Sequence, residues 1–146
     1  MSATRSHISY PKQYLYRRIV QAKLFIDSRY AENIVLDRMA DEAYFSKFHF
    51  MRLFKKCYGH TPHQYLTAVR IEKAKQLLAQ NKPVTEVCLT IGFDSVGSFS
   101  ALFKRKTGHT PSEYQQRQQK RNAHIEKEPM HFVPGCFAQM HGWKSA

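Results

Sequence analysis

The side chains with the most capacity for chemistry lie between Ser46 and Tyr58. On a helical wheel of about 100° per residue, Phe50, Leu53, Phe54 and Cys57 share one arc, while Phe48, His49, Arg52, Lys55 and Lys56 share the other. The first arc reads as a core face, and the second as a cationic face that carries an aromatic ring. No Asp or Glu lies between Ser46 and Tyr58, or between Ser95 and Gly108. Cations without acids beside them suit a polyanion, and an exposed ring beside them suits contact with a thymine methyl group. A surface or half-buried aromatic with no such role is the alternative.

Other reactive types give less. Cys57, Cys88 and Cys136 are an odd count without metal-ligand spacing. Cys57 falls on the core arc, Cys88 stands at an apolar packing position, and Cys136 has no recognisable base or motif beside it. No nucleophile constellation emerges, so the expectation is of no catalytic residue and no enzyme. His124, His131, Cys136 and His141 are metal-ligating types, but their spacing matches no zinc pattern. No metal and no cofactor are expected.

The elements that position the cationic face are set by a repeat. Phe54 to Tyr65 reads FKKCYGHTPHQY, and Phe103 to Tyr114, forty-nine residues on, reads FKRKTGHTPSEY. Ser46, Phe50 and Phe54 align with Ser95, Phe99 and Phe103 at the same offset, and Leu36, Met39 and Ala40 align with Val84, Val87 and Cys88 one residue closer. A self-match at fixed period marks one supersecondary unit used twice. Each unit reads as a short apolar helix, a turn, a longer helix, and a stop that opens the next helix. Gly59 and Gly108 can take the left-handed conformation that ends a helix. Thr61-Pro62 and Thr110-Pro111 supply an N-cap followed by proline at the first helical position.

Composition agrees with this picture. The chain has 146 residues, enough for one domain or two very small ones. Twenty-three Lys and Arg against eleven Asp and Glu leave a net charge of +12. Nucleic acid is the leading polyanionic partner and an anionic membrane surface the second. No signal peptide or long apolar run is present, so a reduced, cytoplasmic protein without a membrane segment is expected.

Along the chain, residues 1–11 form a polar arm. Lys12 to about Tyr30 is an amphipathic helix in which Leu15, Ile19, Ala22, Leu24 and Ile26 pack. Leu36 to Ala43 is the first helix of the first unit, without a Ser or Thr cap. Pro62 to about Gln80 is a connecting helix with Leu66, Ile71, Ala74, Leu77 and Leu78 on one arc. Arg70 projects from that arc and is expected to be a structural ion-pair residue, because a charge there requires a partner. Val84 to Ile91 opens the second unit, and Ser95 to Thr107 follows with Phe99, Leu102 and Phe103 inward. Gly97, Ser98, Ala101, Lys104 and Arg105 form its outward face. Pro111 to about Arg121 closes the domain, and residues 122–146 are a tail without periodicity. Its Phe132, Val133, Phe137 and Trp143 are expected to lie over the domain.

From about Leu15 to Gln118 the chain resembles the DNA-binding domain of the AraC/XylS family of bacterial transcription regulators. LDRMA followed by SKFHFMRLFKKCYGHTP, then QYLTAVRIEKAKQLL, then VCLTIGFDSVGSFSALFKRKTGHTPSEY carry the resemblance. It implies an all-α fold of about seven helices, forming two helix-turn-helix lobes joined by a long connecting helix. The lobes cover about 12–61 and 81–121, with the linker at 62–80. Each lobe would place its second helix in a major groove of double-stranded DNA. A linker of nineteen residues is about 28 Å long, compatible with groove segments about 34 Å apart once the lobes are added, so a monomer would read two half-sites.

Carried over by position, the resemblance makes Phe48, Met51 and Arg52 base-contacting. Arg52 would take guanine O6 and N7, and Phe48 and Met51 would meet thymine methyls. Lys47, His49, Lys55 and Lys56 would meet phosphates. In the second lobe the matching base positions are Val96, Gly97, Ser98 and Ala101, and Lys104, Arg105 and Lys106 would meet phosphates. Ala101 departs from the family pattern by standing where an arginine would read a base. Specificity is therefore expected mainly from the first lobe.

The length leaves no room for an effector domain, so the resemblance is to the small stand-alone members, with a piece of a longer regulator as the alternative. RNA polymerase is a second candidate partner, through Asp37, Asp41 and Glu42, against the reading of those acids as a solvated face. A nonspecific architectural DNA-binding protein is the competing function.

Overall fold

The two copies of the repeat build the same aromatic ladder. In the first, the rings of Phe50 and Phe54 lie 5.7 Å apart, and Phe54 meets Tyr65 edge-on at 5.6 Å. In the second, Phe99 and Phe103 lie 5.7 Å apart, and Phe103 meets Tyr114 edge-on at 5.4 Å. All four phenylalanines are fully buried. Truncating any of them to Ala would cost about 3–5 kcal/mol, which makes the ladder the chief fastening of each unit.

The computed structural model describes residues 12–34, 38 and 46–132. Among them the ordered elements are all helical: α1 (Lys12–Arg29), α2 (Lys47–Tyr58), α3 (Pro62–Ala79), α4 (Val84–Thr90), α5 (Val96–Thr107) and α6 (Pro111–Lys127), then a short 3-10 helix over Pro129–Phe132. The chain divides into two compact units between Arg70 and Ile71, within α3. Of the expected helix Leu36–Ala43 only Arg38 is described, in helical conformation; the rest of it, the polar arm 1–11 and the tail from 133 onward, with Cys136 and His141, lie outside the described residues.

The first unit packs α1 and α2 with the start of α3. Its core holds Ile19, Ala22 and Ile26 from α1, Ile34, Phe50 and Phe54, and Leu66. These α1 residues recur at spacings of three and four, the stripe that faces a partner helix. Leu24 was expected in that stripe but is 55% exposed, because its position on the wheel falls on the far side from Ile19, Ala22 and Ile26. Tyr65 ties α3 to α1 by donating its hydroxyl to Asp27 Oδ1 at 2.6 Å, and Lys23 Nζ donates to the other oxygen at 2.8 Å. That bond to Asp27 is the main cause holding the Lys23 ammonium above its ordinary range.

The second unit buries Ile71, Ala74, Leu78, Val87, Cys88, Ile91, Phe99 and Phe103. In the turn after α3, Asn81 takes the left-handed region (φ 63°), with its N–H on Leu78 O at 3.0 Å. The Gln115 side chain donates to Lys82 O at 2.7 Å and so fixes this turn to α6. Helix α4 begins at Pro83 without a side-chain cap, in accord with the lack of Ser or Thr there. Gly92 (φ 93°) turns the chain after α4, and Phe93 N–H reaches back to Cys88 O at 3.0 Å.

Helix α6 was expected to end near Arg121 and instead runs to Lys127. Residues 122–127 contain no breaker, and Pro129 is the first residue that cannot continue the helix. Sequence periodicity missed this extension because these turns are held by backbone bonds and bury almost nothing.

Candidate nucleic-acid interface

Two helices carry the expected contact residues, and each is fixed at both ends. Ser46, in extended conformation, accepts from His49 N–H and caps α2; Ser95 accepts from Ser98 N–H and caps α5. The caps satisfy orphan donors at the ends that carry Phe48, Val96 and Gly97. At the other end Gly59 (φ 75°) and Gly108 (φ 84°) close the helices, each with its N–H 2.8 Å from the carbonyl of Lys55 or Lys104.

The stop then starts the next helix through a reciprocal cap. Thr61 N–H donates to Gln64 Oε1 at 3.0 Å while Gln64 N–H donates to Thr61 Oγ1 at 3.2 Å. Thr110 and Glu113 repeat this at 3.0 and 3.2 Å. Pro62 and Pro111 follow these caps, both buried. The Thr110 N–H holds the Glu113 carboxyl below the ordinary carboxylate range. Sequence reading saw the Thr-Pro caps but passed over Gln64 and Glu113, which the capping-box spacing would have supplied.

Phe50 and Phe54 anchor α2 from below, and the opposite face is open. Phe48 is 75% exposed, Met51 is half-buried, and Arg52, Lys47, His49, Lys55 and Lys56 are exposed. A phenylalanine three-quarters in water contributes little to folding, and this one stands among cations. On α5, Val96 is 40% exposed, and Gly97, Ser98, Ala101, Lys104, Arg105 and Lys106 are exposed. The α5 face is small and apolar at its start and cationic only in its last turn. A Cβ at Gly97 would meet nothing closer than Ser95 Oγ at 3.6 Å, so the space above this face is open.

Arg70 reaches backbone carbonyls. Its Nε donates to Tyr30 O and its NH2 group to Glu32 O, both at 2.7 Å, so the guanidinium closes the C-terminal end of α1 and the chain after it.

Cys57 is a correction. It was expected on the core face and is exposed. Its wheel position lies inside the arc, but it stands in the last turn of α2, beyond Phe54, the last buried residue of that helix. Partial desolvation, against the weaker pull of Lys56, pushes its thiol above the ordinary range. Cys88 is buried, with its thiol raised by burial and directed to Phe93 O at 3.7 Å. A raised thiol is a poor source of thiolate, so neither cysteine has the character of a nucleophile. Among the described residues no helix is long and apolar enough to cross a membrane.

A short helix, a glycine turn and a capped second helix with an open cationic face define a helix-turn-helix protein. The helix-turn-helix domain model matches residues 39–117 of this chain. The chain belongs to the AraC/XylS family of transcription regulators, as the resemblance of its three segments implied. It is 36% identical over 69 residues to YbfI, an HTH-type transcriptional regulator of Bacillus subtilis, covering 47% of this chain and 25% of that protein. It is 34% identical over 109 residues to the transposon Tn10 TetD protein of Escherichia coli, covering 74% of this chain and 75% of TetD. Among solved structures it is similar to the DNA-binding domain of AdpA, a global transcriptional factor, in complex with a target DNA. That likeness has a TM-score of 0.65 at 26% identity, over 77% of this chain and 96% of that one. The chain thus spans a quarter of YbfI and three quarters of TetD.

Proposed function

We propose that the chain is a sequence-specific regulator of transcription that binds double-stranded DNA through α2 and α5, each in a major groove, with specificity drawn mainly from α2. The observation that carries this is Phe48, 75% exposed on a helix whose exposed face also bears Arg52, Lys55 and Lys56 and lacks any acid. In the groove Arg52 takes guanine O6 and N7, and Phe48 and Met51 meet thymine methyls. Lys47, His49, Lys55 and Lys56 engage phosphates, as do Lys104, Arg105 and Lys106 from α5. Val96, Gly97, Ser98 and Ala101 offer few hydrogen-bonding groups, so α5 contributes shape readout and backbone contact. The likeness to AdpA, solved on a target DNA, supports the reading. The chain acts as a monomer in the cytoplasm, and Asp37, Asp41 and Glu42, close together in sequence, are its candidate contact for RNA polymerase.

Selecting bound sequences from a random duplex library at fixed salt tests this, with the native chain and Arg52→Ala in parallel. The expected result is an asymmetric site of about 20 base pairs, at one G of which the variant loses about 1–3 kcal/mol of preference. The small face of α5 favours a second reading, an architectural protein that binds duplex without sequence preference. Tight binding by both proteins with no enriched motif would establish that reading and sink the first.

A further inference from the structure

The end of α6 gathers three side chains that the DNA-facing helices leave unused. His124 lies in the last turn of α6, Glu128 caps it, and His131 follows in the 3-10 helix. Glu128 N–H donates to His124 O at 2.8 Å and His131 N–H to Glu128 O at 3.1 Å, so the chain folds back at Pro129 and residues seven apart meet. His131 Nδ1 stands 3.4 Å from His124 Nε2 and 3.3 Å from Glu128 Oε2. One ligand atom from each of the three lies within 4.8 Å of the others, and all three side chains are exposed.

Those separations discriminate between two explanations. Two ring nitrogens at 3.4 Å are long for a hydrogen bond, whose N···acceptor distance centres near ~2.9–3.0 Å. Nitrogen and oxygen ligands about 2.0–2.1 Å from a tetrahedral zinc ion lie about 3.3–3.4 Å from each other. Two of the three edges of the cluster already have that length. Two imidazoles with one carboxylate form a donor set that suits zinc and its borderline neighbours over magnesium or calcium. We infer that His124, Glu128 and His131 bind one divalent ion of the zinc class, with water completing its coordination. The ion fastens the 3-10 helix to the end of α6. Spacing alone did not suggest this set, because its middle member is Glu128 and no cysteine takes part.

The test is titration of the full chain with Zn2+ by calorimetry, and with Co2+ by visible absorption, which reads four-coordinate geometry directly. One equivalent is expected to bind, with the intense bands of tetrahedral cobalt. His124→Ala, His131→Ala and Glu128→Gln should each weaken binding by at least about tenfold. His63→Ala, on α3, should leave it unchanged, and far-UV circular dichroism should show the same helix content in all variants. Failure to bind at millimolar metal overturns the proposal. So does a one-equivalent site that persists in the His124→Ala/His131→Ala double variant.

Discussion

Arg70 donates its Nε–H to the carbonyl of Tyr30 at 2.7 Å, across forty residues of sequence. With the second bond to Glu32 O, which also accepts from Ile34 N–H at 2.9 Å, one side chain on α3 holds the chain just after α1. Arg70→Ala is expected to destabilise the first unit by about 2–3 kcal/mol, since bonds from a charged donor contribute about that much. Arg70→Lys should recover only part of it, because a single ammonium lacks the planar fork. Urea midpoints of the three proteins check this; a native midpoint for Arg70→Ala would refute the structural role.

Phe48 is expected to matter for base preference and hardly at all for folding. With the ring 75% exposed, Phe48→Ala should change stability by no more than about 0.5 kcal/mol. In a selected DNA site, replacing the contacted thymine by deoxyuracil removes only the methyl group. That replacement should weaken binding by the native chain and leave Phe48→Ala unaffected. Equal losses in both would show that the ring does not touch the methyl.

The cations in the last turns of α2 and α5 are assigned to phosphates, which makes their loss visible as salt dependence. Lys55→Ala/Lys56→Ala should reduce the slope of log K against log salt by about two, near 0.9 per contact, equally on specific and random duplex. An unchanged slope would remove these lysines from the interface.

Glu113 sets a pH dependence in one copy of the repeat only. Its carboxyl is lowered by the Thr110 N–H, so the folded state binds its proton less readily than the unfolded chain does. The contribution is complete above the ordinary carboxylate range and is lost as pH falls through the lowered folded value. Glu113→Gln, the residue type that Gln64 already supplies in the first copy, should flatten the acid limb of stability against pH. Parallel acid limbs in the two proteins would exclude the cap as its source.

Ala101 offers a gain-of-function test. It is exposed on α5, and Ala101→Arg should add preference for a guanine in the second half-site by about 1–3 kcal/mol if α5 lies in the groove. A variant whose selected site is unchanged would place α5 outside base contact.

The repeat made most of this fold legible from sequence. Phe50, Phe54, Phe99 and Phe103, the two glycine stops and the two Thr-Pro caps are local signals, and each appears where its chemistry requires it. The misses share a different cause. Leu24 falls opposite the stripe of Ile19, Ala22 and Ile26, and Cys57 lies within its apolar arc but in the last turn of α2, where burial depends on what neighbouring elements cover. The last six residues of α6 carry no apolar stripe, so only the absence of a breaker before Pro129 marked them. The partners of Arg70 and Gln115 are backbone carbonyls more than thirty residues away, and a carbonyl leaves no trace in residue type. The exposed faces of α2 and α5 were readable because charge and exposure go together at Arg52, Lys55, Lys104 and Arg105.

Cys88 gives the second unit a built-in clock. The residue is 1% exposed on the buried face of α4, so a thiol reagent reaches it only when that unit opens. In a Cys57→Ser/Cys136→Ser background, the labelling rate therefore counts opening events in the native protein. Added operator DNA should slow that count only if α5 takes part in binding, which separates the engagement of the two units without a structure of the complex.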